Sequence, residues 1–157
     1  MTGAALVAEA TAAGVTLARI GDGRLKWRSA VPPPPDLLAR IVAAKAEVLA
    51  ELVRKEAEWW RDYFEERAAI REHDGGMSRP DAEADAMADC VARWRALNPL
   101  PASDDRACIQ CGKTGPDTPV LARGGHAWLH RECWVPMNAA RNETAFAAVR
   151  VLLGSAT

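Results

Sequence analysis

The sequence predicts an α+β protein assembled from small units, and three observations carry that reading. Two short runs of alternating polarity, residues 15–20 and 24–28, flank Gly21-Asp22-Gly23, the pattern of a β-hairpin closed by a tight turn. On either side, apolar residues recur at spacings of three and four, the period of helices with one buried face. Towards the C-terminus, Cys108-Ile-Gln-Cys111 and His130-Arg-Glu-Cys133 set two soft ligands two residues apart, twice, as a tetrahedral zinc site requires.

Composition bounds what these pieces can do. The 157 residues are 49% apolar, enough for a core, but alanine supplies much of that fraction and buries little area. The six tryptophans are the large pieces that let small modules close. Net charge is −1 and unevenly spread: residues 1–55 carry eight Lys/Arg against five Asp/Glu, residues 56–100 six against eleven, and residues 101–157 six against five. No segment has the strongly basic balance of a dedicated nucleic-acid binder. Four cysteines, three of them in metal spacing, fit a reducing compartment better than a disulfide framework. The opening residues lack a basic region and include Glu9, unlike a signal peptide. No apolar run reaches membrane-spanning length. A cytoplasmic protein without a membrane partner is expected.

Residues 4–13 read as a short helix with Leu6, Val7 and Ala10 on one side, ended by Gly14. In the hairpin, Val15, Leu17 and Arg19 share a face, as do Leu25 and Trp27, while Arg24, Lys26 and Arg28 point the other way. Pro32–Pro35 stops the second strand, and Pro35-Asp36 opens a helix, proline suiting its first turn and an acid its dipole. From there Leu38, Ile41, Val48, Leu49 and Leu52 keep helical spacing. A lone two-stranded hairpin is marginal in water, so these helices must cover its apolar face.

The run Leu6-Val-Ala-Glu-Ala-Thr-Ala-Ala-Gly-Val-Thr-Leu, then Gly23-Arg-Leu-Lys-Trp-Arg, then Leu37-Leu-Ala-Arg-Ile-Val-Ala-Ala-Lys-Ala-Glu-Val-Leu-Ala-Glu-Leu resembles TubC-type N-terminal docking domains of nonribosomal peptide and polyketide synthetases. The resemblance covers the first third of the chain. It implies an αββαα fold with the last helix broken near Ala44-Lys45, and a hairpin edge that accepts a partner's peptide as an added strand. No synthetase catalytic sequence follows, so a role in peptide-synthetase assembly is not expected.

Residues 56–72 continue as helix, with Trp60 and Phe64, and Trp59 and Tyr63, one turn apart. The stretch 73–77, His-Asp-Gly-Gly-Met, breaks it. Ser78-Arg-Pro-Asp81 restarts a helix with serine at the cap and proline in the first turn, and Ala84, Met87, Val91 and Trp94 are expected on its inner face until Asn98-Pro99 ends it. Two such helices joined by a short glycine turn form an antiparallel hairpin. The segment from Glu66 to Gly76 with Arg79, Ala82 and Glu83, together with Gly-His-Ala-Trp-Leu-His-x-x-Cys-Trp in the metal segment, resembles small uncharacterised proteins of proteobacterial prophages and mobile elements.

In the metal segment, residues 119–123 and 126–129 around Gly124-Gly125 are a second hairpin candidate, His130 and Cys133 fall at a helix start, and Phe146, Val149, Leu152 and Leu153 mark a last helix ended by Gly154. Turn, hairpin and helix around one metal resemble a treble-clef or half-LIM finger. Three units are therefore expected: 1–55 docking-like, 56–100 a helical hairpin, and 101–157 a zinc-finger module.

The expected cofactor is one structural Zn2+ on Cys108, Cys111, His130 and Cys133. Four protein ligands leave no open position for water or substrate, and Arg106, Lys113 and Arg131 lie close in sequence to offset the site's net charge. His126, four residues before His130, competes for the same position, and a surface or supporting role suits it better. A redox role for Cys108 and Cys111 wants a βαβ context that is missing, and Cys90 reads as a small buried apolar residue. No metalloprotease, serine-hydrolase or phosphate-loop motif is present, and Glu72-His73-Asp74 reads as a solvated helix end. The one basic-aromatic cluster, Arg19, Arg24, Lys26, Trp27 and Arg28, is the candidate partner-binding set. The sequence thus predicts a non-enzymatic zinc-binding adaptor of phage or mobile-element type that docks a protein partner, with a nucleic-acid-associated accessory protein of replication or its control as the alternative.

Overall fold

The computed structural model describes residues 2–154 except 22, 104–105 and 115–126. Their order is α1 (Gly3–Ala12), β1 (Val15–Ile20), β2 (Arg24–Ser29), α2 (Pro35–Ala43), α3 (Lys45–His73), α4 (Arg79–Leu97), a 3-10 turn (Arg131–Cys133) and α5 (Trp134–Leu153). This is the α+β composition expected, with one two-stranded sheet among the described residues. The chain forms two compact units, Met1–Trp59 and Trp60–Thr157.

In the first unit, α1 starts at Thr2, whose Oγ1 accepts the Ala5 N–H at 3.3 Å, satisfying one of the donors a helix start leaves orphaned. Gly3, Leu6, Val7 and Ala10 are its buried residues. After Gly14 in the left-handed region (φ +71°), β1 and β2 pair antiparallel with Val15 opposite Ser29, Leu17 opposite Trp27 and Arg19 opposite Leu25. Side chains alternate across a strand, so these residues form the inner face. Leu17 and Leu25 pack against two small cores, Ala10/Val15/Leu37/Ile41 and Leu6/Val7/Val48. Trp27, at the same face, stays 47% exposed. Pro35 opens α2 as expected, and α2 ends at Ala43 with Ala44 outside helical geometry (φ −102°, ψ 28°). Leu37, which the apolar spacing passed over, is more buried than its neighbour Leu38.

The second unit has its own core of Trp60, Cys90 and Val149, flanked by Tyr63, Phe64, Met87, Trp94, Leu152 and Leu153. The rings of Trp60 and Tyr63 meet edge to face, 6.2 Å apart at 88°, the geometry their quadrupoles favour, whereas Trp59 is exposed. The residue 60–73 part of α3 runs antiparallel to α4: Arg67 pairs with Asp89 at 2.9 Å, and Arg71 with Asp89 at 2.7 Å and Asp85 at 3.4 Å. Arg79 adds ion pairs to Glu65, Glu72 and Glu83. Ser78 caps α4 by accepting the Asp81 N–H at 3.3 Å.

The inner face of α4 differs from the one expected. Its fully buried residues are Ala82, Ala86 and Cys90. Met87 and Trp94 join the core from its flank, while Ala84 and Val91 line a groove of about 580 Å³ between α4 and α5 with Phe146. Ranking positions by bulk misleads here because close-packed helices favour small residues at the contact. α5 is fixed to α4 by polar ties: Arg95 donates to Asn142 Oδ1 at 2.6 Å and Asn138 Oδ1 at 2.7 Å. Arg141 donates to the Arg95 and Asn98 carbonyls, both at 2.8 Å, occupying acceptors that the end of α4 leaves open.

Candidate metal centre

Residues 106–114 form a tight turn that presents two sulfurs. Cys108 N–H donates to the Lys113 carbonyl at 2.9 Å, and Gly112 N–H to the Cys108 carbonyl at 2.7 Å. Gly112 sits at φ +72°, a conformation that suits glycine for lack of a Cβ. Ala107 bridges Thr114 antiparallel, and Cys108 bridges Trp128 parallel, with Ile109 N–H donating to the Trp128 carbonyl at 2.9 Å. This bridge sets Leu129 and His130 against the turn. The chain then enters the 3-10 turn, where Cys133 N–H donates to the His130 carbonyl at 3.0 Å before α5 begins. Of the second hairpin expected around Gly124-Gly125, residues 119–126, with the competing His126, lie outside the described residues, and the described remainder of its second arm, residues 127–129, is bridged through Trp128 to Cys108.

The result is a convergence of four donors. Cys108, Cys111, His130 and Cys133 each offer one ligand atom, and all four atoms lie within 4.8 Å of one another. Zinc–sulfur bonds of about 2.3 Å in a tetrahedron place two sulfurs about 3.8 Å apart, so the cluster has the size a single Zn2+ needs. Cys111 Sγ and His130 Nδ1 are 3.3 Å apart. Three thiols and an imidazole suit a borderline-soft ion, and with four protein donors the set is closed.

Electrostatics within the cluster point the same way. Burial opposes ionisation of Cys108, yet hydrogen bonds to its sulfur from the His130, Cys111 and Gln110 backbone, and from Cys111, bring its pKa down to about 6. Cys133 is pushed up to about 12 by burial and by its neighbours Cys108 and Cys111. A divalent cation at the centre of the cluster would favour the deprotonated form of its thiol ligands.

Packing secures the ligands from below. Cys108, Leu129 and Met137 form a small buried core with Leu100, Ile109 and Cys133 against it. Trp128 is a supporting residue that ligand spacing alone does not reveal: its N–H donates to Ser103 Oγ at 2.6 Å, and the Arg106 guanidinium lies 5.4 Å from its ring centroid. Arg106, expected only as a counter-charge, has φ +57°, uncommon for a residue with a Cβ, and the cation–ring contact helps hold it there.

The candidate partner-binding residues are divided by the hairpin. Arg24, Lys26 and Arg28 stand opposite Ile20, Ala18 and Thr16 on the outer face, all three exposed, and none forms a salt bridge among the described residues. Trp27 and Arg19 lie on the inner face, and Arg19 is paired with Glu56 at 3.2 Å. Among the described residues no helix is long and apolar enough to cross a membrane. The chain matches no known protein-family profile, no curated protein and no solved structure.

Proposed function

We propose that this protein is a non-enzymatic zinc-binding adaptor, of the kind carried by phages and mobile elements, in which one structural Zn2+ folds the C-terminal segment and the hairpin docks a protein partner. The observation that carries the metal half is the closed set of four donors within 4.8 Å. Such a site contributes about 10–16 kcal/mol of apparent binding free energy in small zinc modules and offers no coordination position for a substrate. Elemental analysis of native protein tests it: one zinc per chain is expected, and zinc retained after Cys108→Ser with Cys133→Ser would overturn the assignment.

The docking half is supported by the two-stranded sheet, whose strands each keep one edge without a strand partner among the described residues, and by the outer cations, which form no salt bridge among those residues. A partner segment added along β2 would gain backbone hydrogen bonds, while Arg24, Lys26 and Arg28 would select an acidic one. Reversing the three to glutamate should abolish capture of the partner in a pull-down from the source cell and leave the circular-dichroism spectrum intact. Undiminished capture would count against this reading. The same cations favour, as a second reading, contact with nucleic-acid phosphates. Affinity for DNA or RNA falling steeply with salt would support that reading, and no binding at low salt would remove it.

A further inference from the structure

The four donors are not equally sheltered. Cys108 is 1% exposed and belongs to the buried core, His130 and Cys133 are half-buried, and Cys111 is exposed at the tip of its turn. A small dissolved oxidant therefore meets one sulfur of the cluster first. Once that sulfur reacts, two more stand within 4.8 Å of it, close enough for small side-chain movements to bring a pair to disulfide bonding distance.

We propose that Cys111 is an oxidation site through which a hydroperoxide opens the metal centre, converting the zinc-pinned segment into a disulfide-bonded, zinc-free form. The proposal rests on the zinc reading above. In the first step the Cys111 thiolate attacks one oxygen of hydrogen peroxide; the S–O bond forms, the O–O bond breaks and hydroxide leaves, giving a sulfenic acid. In the second, the thiolate of Cys108 or Cys133 attacks that sulfur; an S–S bond forms, the S–O bond breaks and a second hydroxide leaves. The two sulfurs lose two electrons, the peroxide gains them, and solvent protons turn both hydroxides to water. Zinc loses two of its four ligands and passes to solvent. Because Cys108 also anchors the core with Leu129 and Met137, the change reaches beyond the metal to the packing of the turn on α5.

Cys90 provides an internal control: it is fully buried in the other core of this unit, with its pKa pushed up to about 11 by burial. Zinc-loaded full-length protein is treated with less than one equivalent of hydrogen peroxide. Released zinc is followed with a colorimetric chelator, and the thiols are mapped by differential alkylation and mass spectrometry. Zinc release in step with a disulfide from Cys111 to Cys108 or Cys133, with Cys90 still free, is the expected result. Cys111→His, which keeps a nitrogen ligand but removes the exposed sulfur, should load zinc and resist release; if it fails to load, the wild-type mapping decides alone. Zinc kept through oxidation, modification that begins at Cys108 or Cys133, or release from Cys111→His at the wild-type rate overturns the proposal while leaving the metal assignment standing. Protein that carries no zinc before peroxide is added defeats the metal assignment, and this proposal with it.

Discussion

Gly3 shows how a single atom can decide a packing arrangement. A Cβ built on it would lie 2.2 Å from the Glu47 carbonyl oxygen and 2.5 Å from its carbon, so the start of α1 meets the start of α3 backbone to backbone. Gly3→Ala must push the two apart, and overpacking of this kind costs about 1–3 kcal/mol; a matching fall in the denaturant midpoint of the protein, with an unchanged m-value, is the check. Nothing in the sequence flags Gly3, because the atom that forbids a side chain belongs to a residue 44 positions away. The metal residues are the opposite case. Thiol and imidazole chemistry with two-residue spacing announces a metal cluster from eight letters, and the structure brings the four ligand residues together. The division of the hairpin's basic cluster was half legible: strand alternation separates Arg24, Lys26 and Arg28 from Trp27, but only tertiary structure shows Glu56 holding Arg19.

At the scale of elements, the antiparallel pair of α3 and α4 carries ion pairs beside its apolar contact. Burial works against ionisation of Asp89, yet its hydrogen bonds with Arg67 and Arg71 outweigh that and hold its carboxyl below the usual carboxylate range. Its folded pKa lies below the unfolded value of about 3.9, so its contribution is complete above that value and disappears as pH falls through the folded pKa. Asp89→Asn should lower stability at neutral pH by about 1 kcal/mol and flatten the acid limb of the stability curve, measured by urea denaturation at several pH values. Ser78→Ala removes the cap of α4 and should cost about 1 kcal/mol, read from the same denaturation curves. That cap could be seen in advance, since Ser-x-Pro-Asp is a local signal complete within four residues. The buried Ala82-Ala86-Cys90 stripe could not: alanine carries too little apolar weight to mark a face, and the contact depends on how near the neighbouring helix comes.

For the molecule as a whole, two units with separate cores imply two responses to metal removal. A chelator should strip amide-exchange protection from residues 106–114 and the first turns of α5, and lower the thermal midpoint of the second unit, while β1 and β2 keep their protection. Uniform loss across both units would show that the metal supports the whole fold. The helix–hairpin–helix order of the first unit could be anticipated from turn and cap residues, because each of those boundaries is set locally. The sharing of one core by the helical hairpin and the last helix could not, since Trp60, Cys90 and Val149 are brought together only by tertiary packing. α5 gives this sharing a further meaning. Its 20 residues span about 30 Å, with Cys133 just ahead of its first residue, Met137 in the core beneath the ligands and Val149 in the core of the helical pair. A metal held at one tip of this rod would therefore be linked by mass action to the stability of a helical pair that holds no ligand of its own.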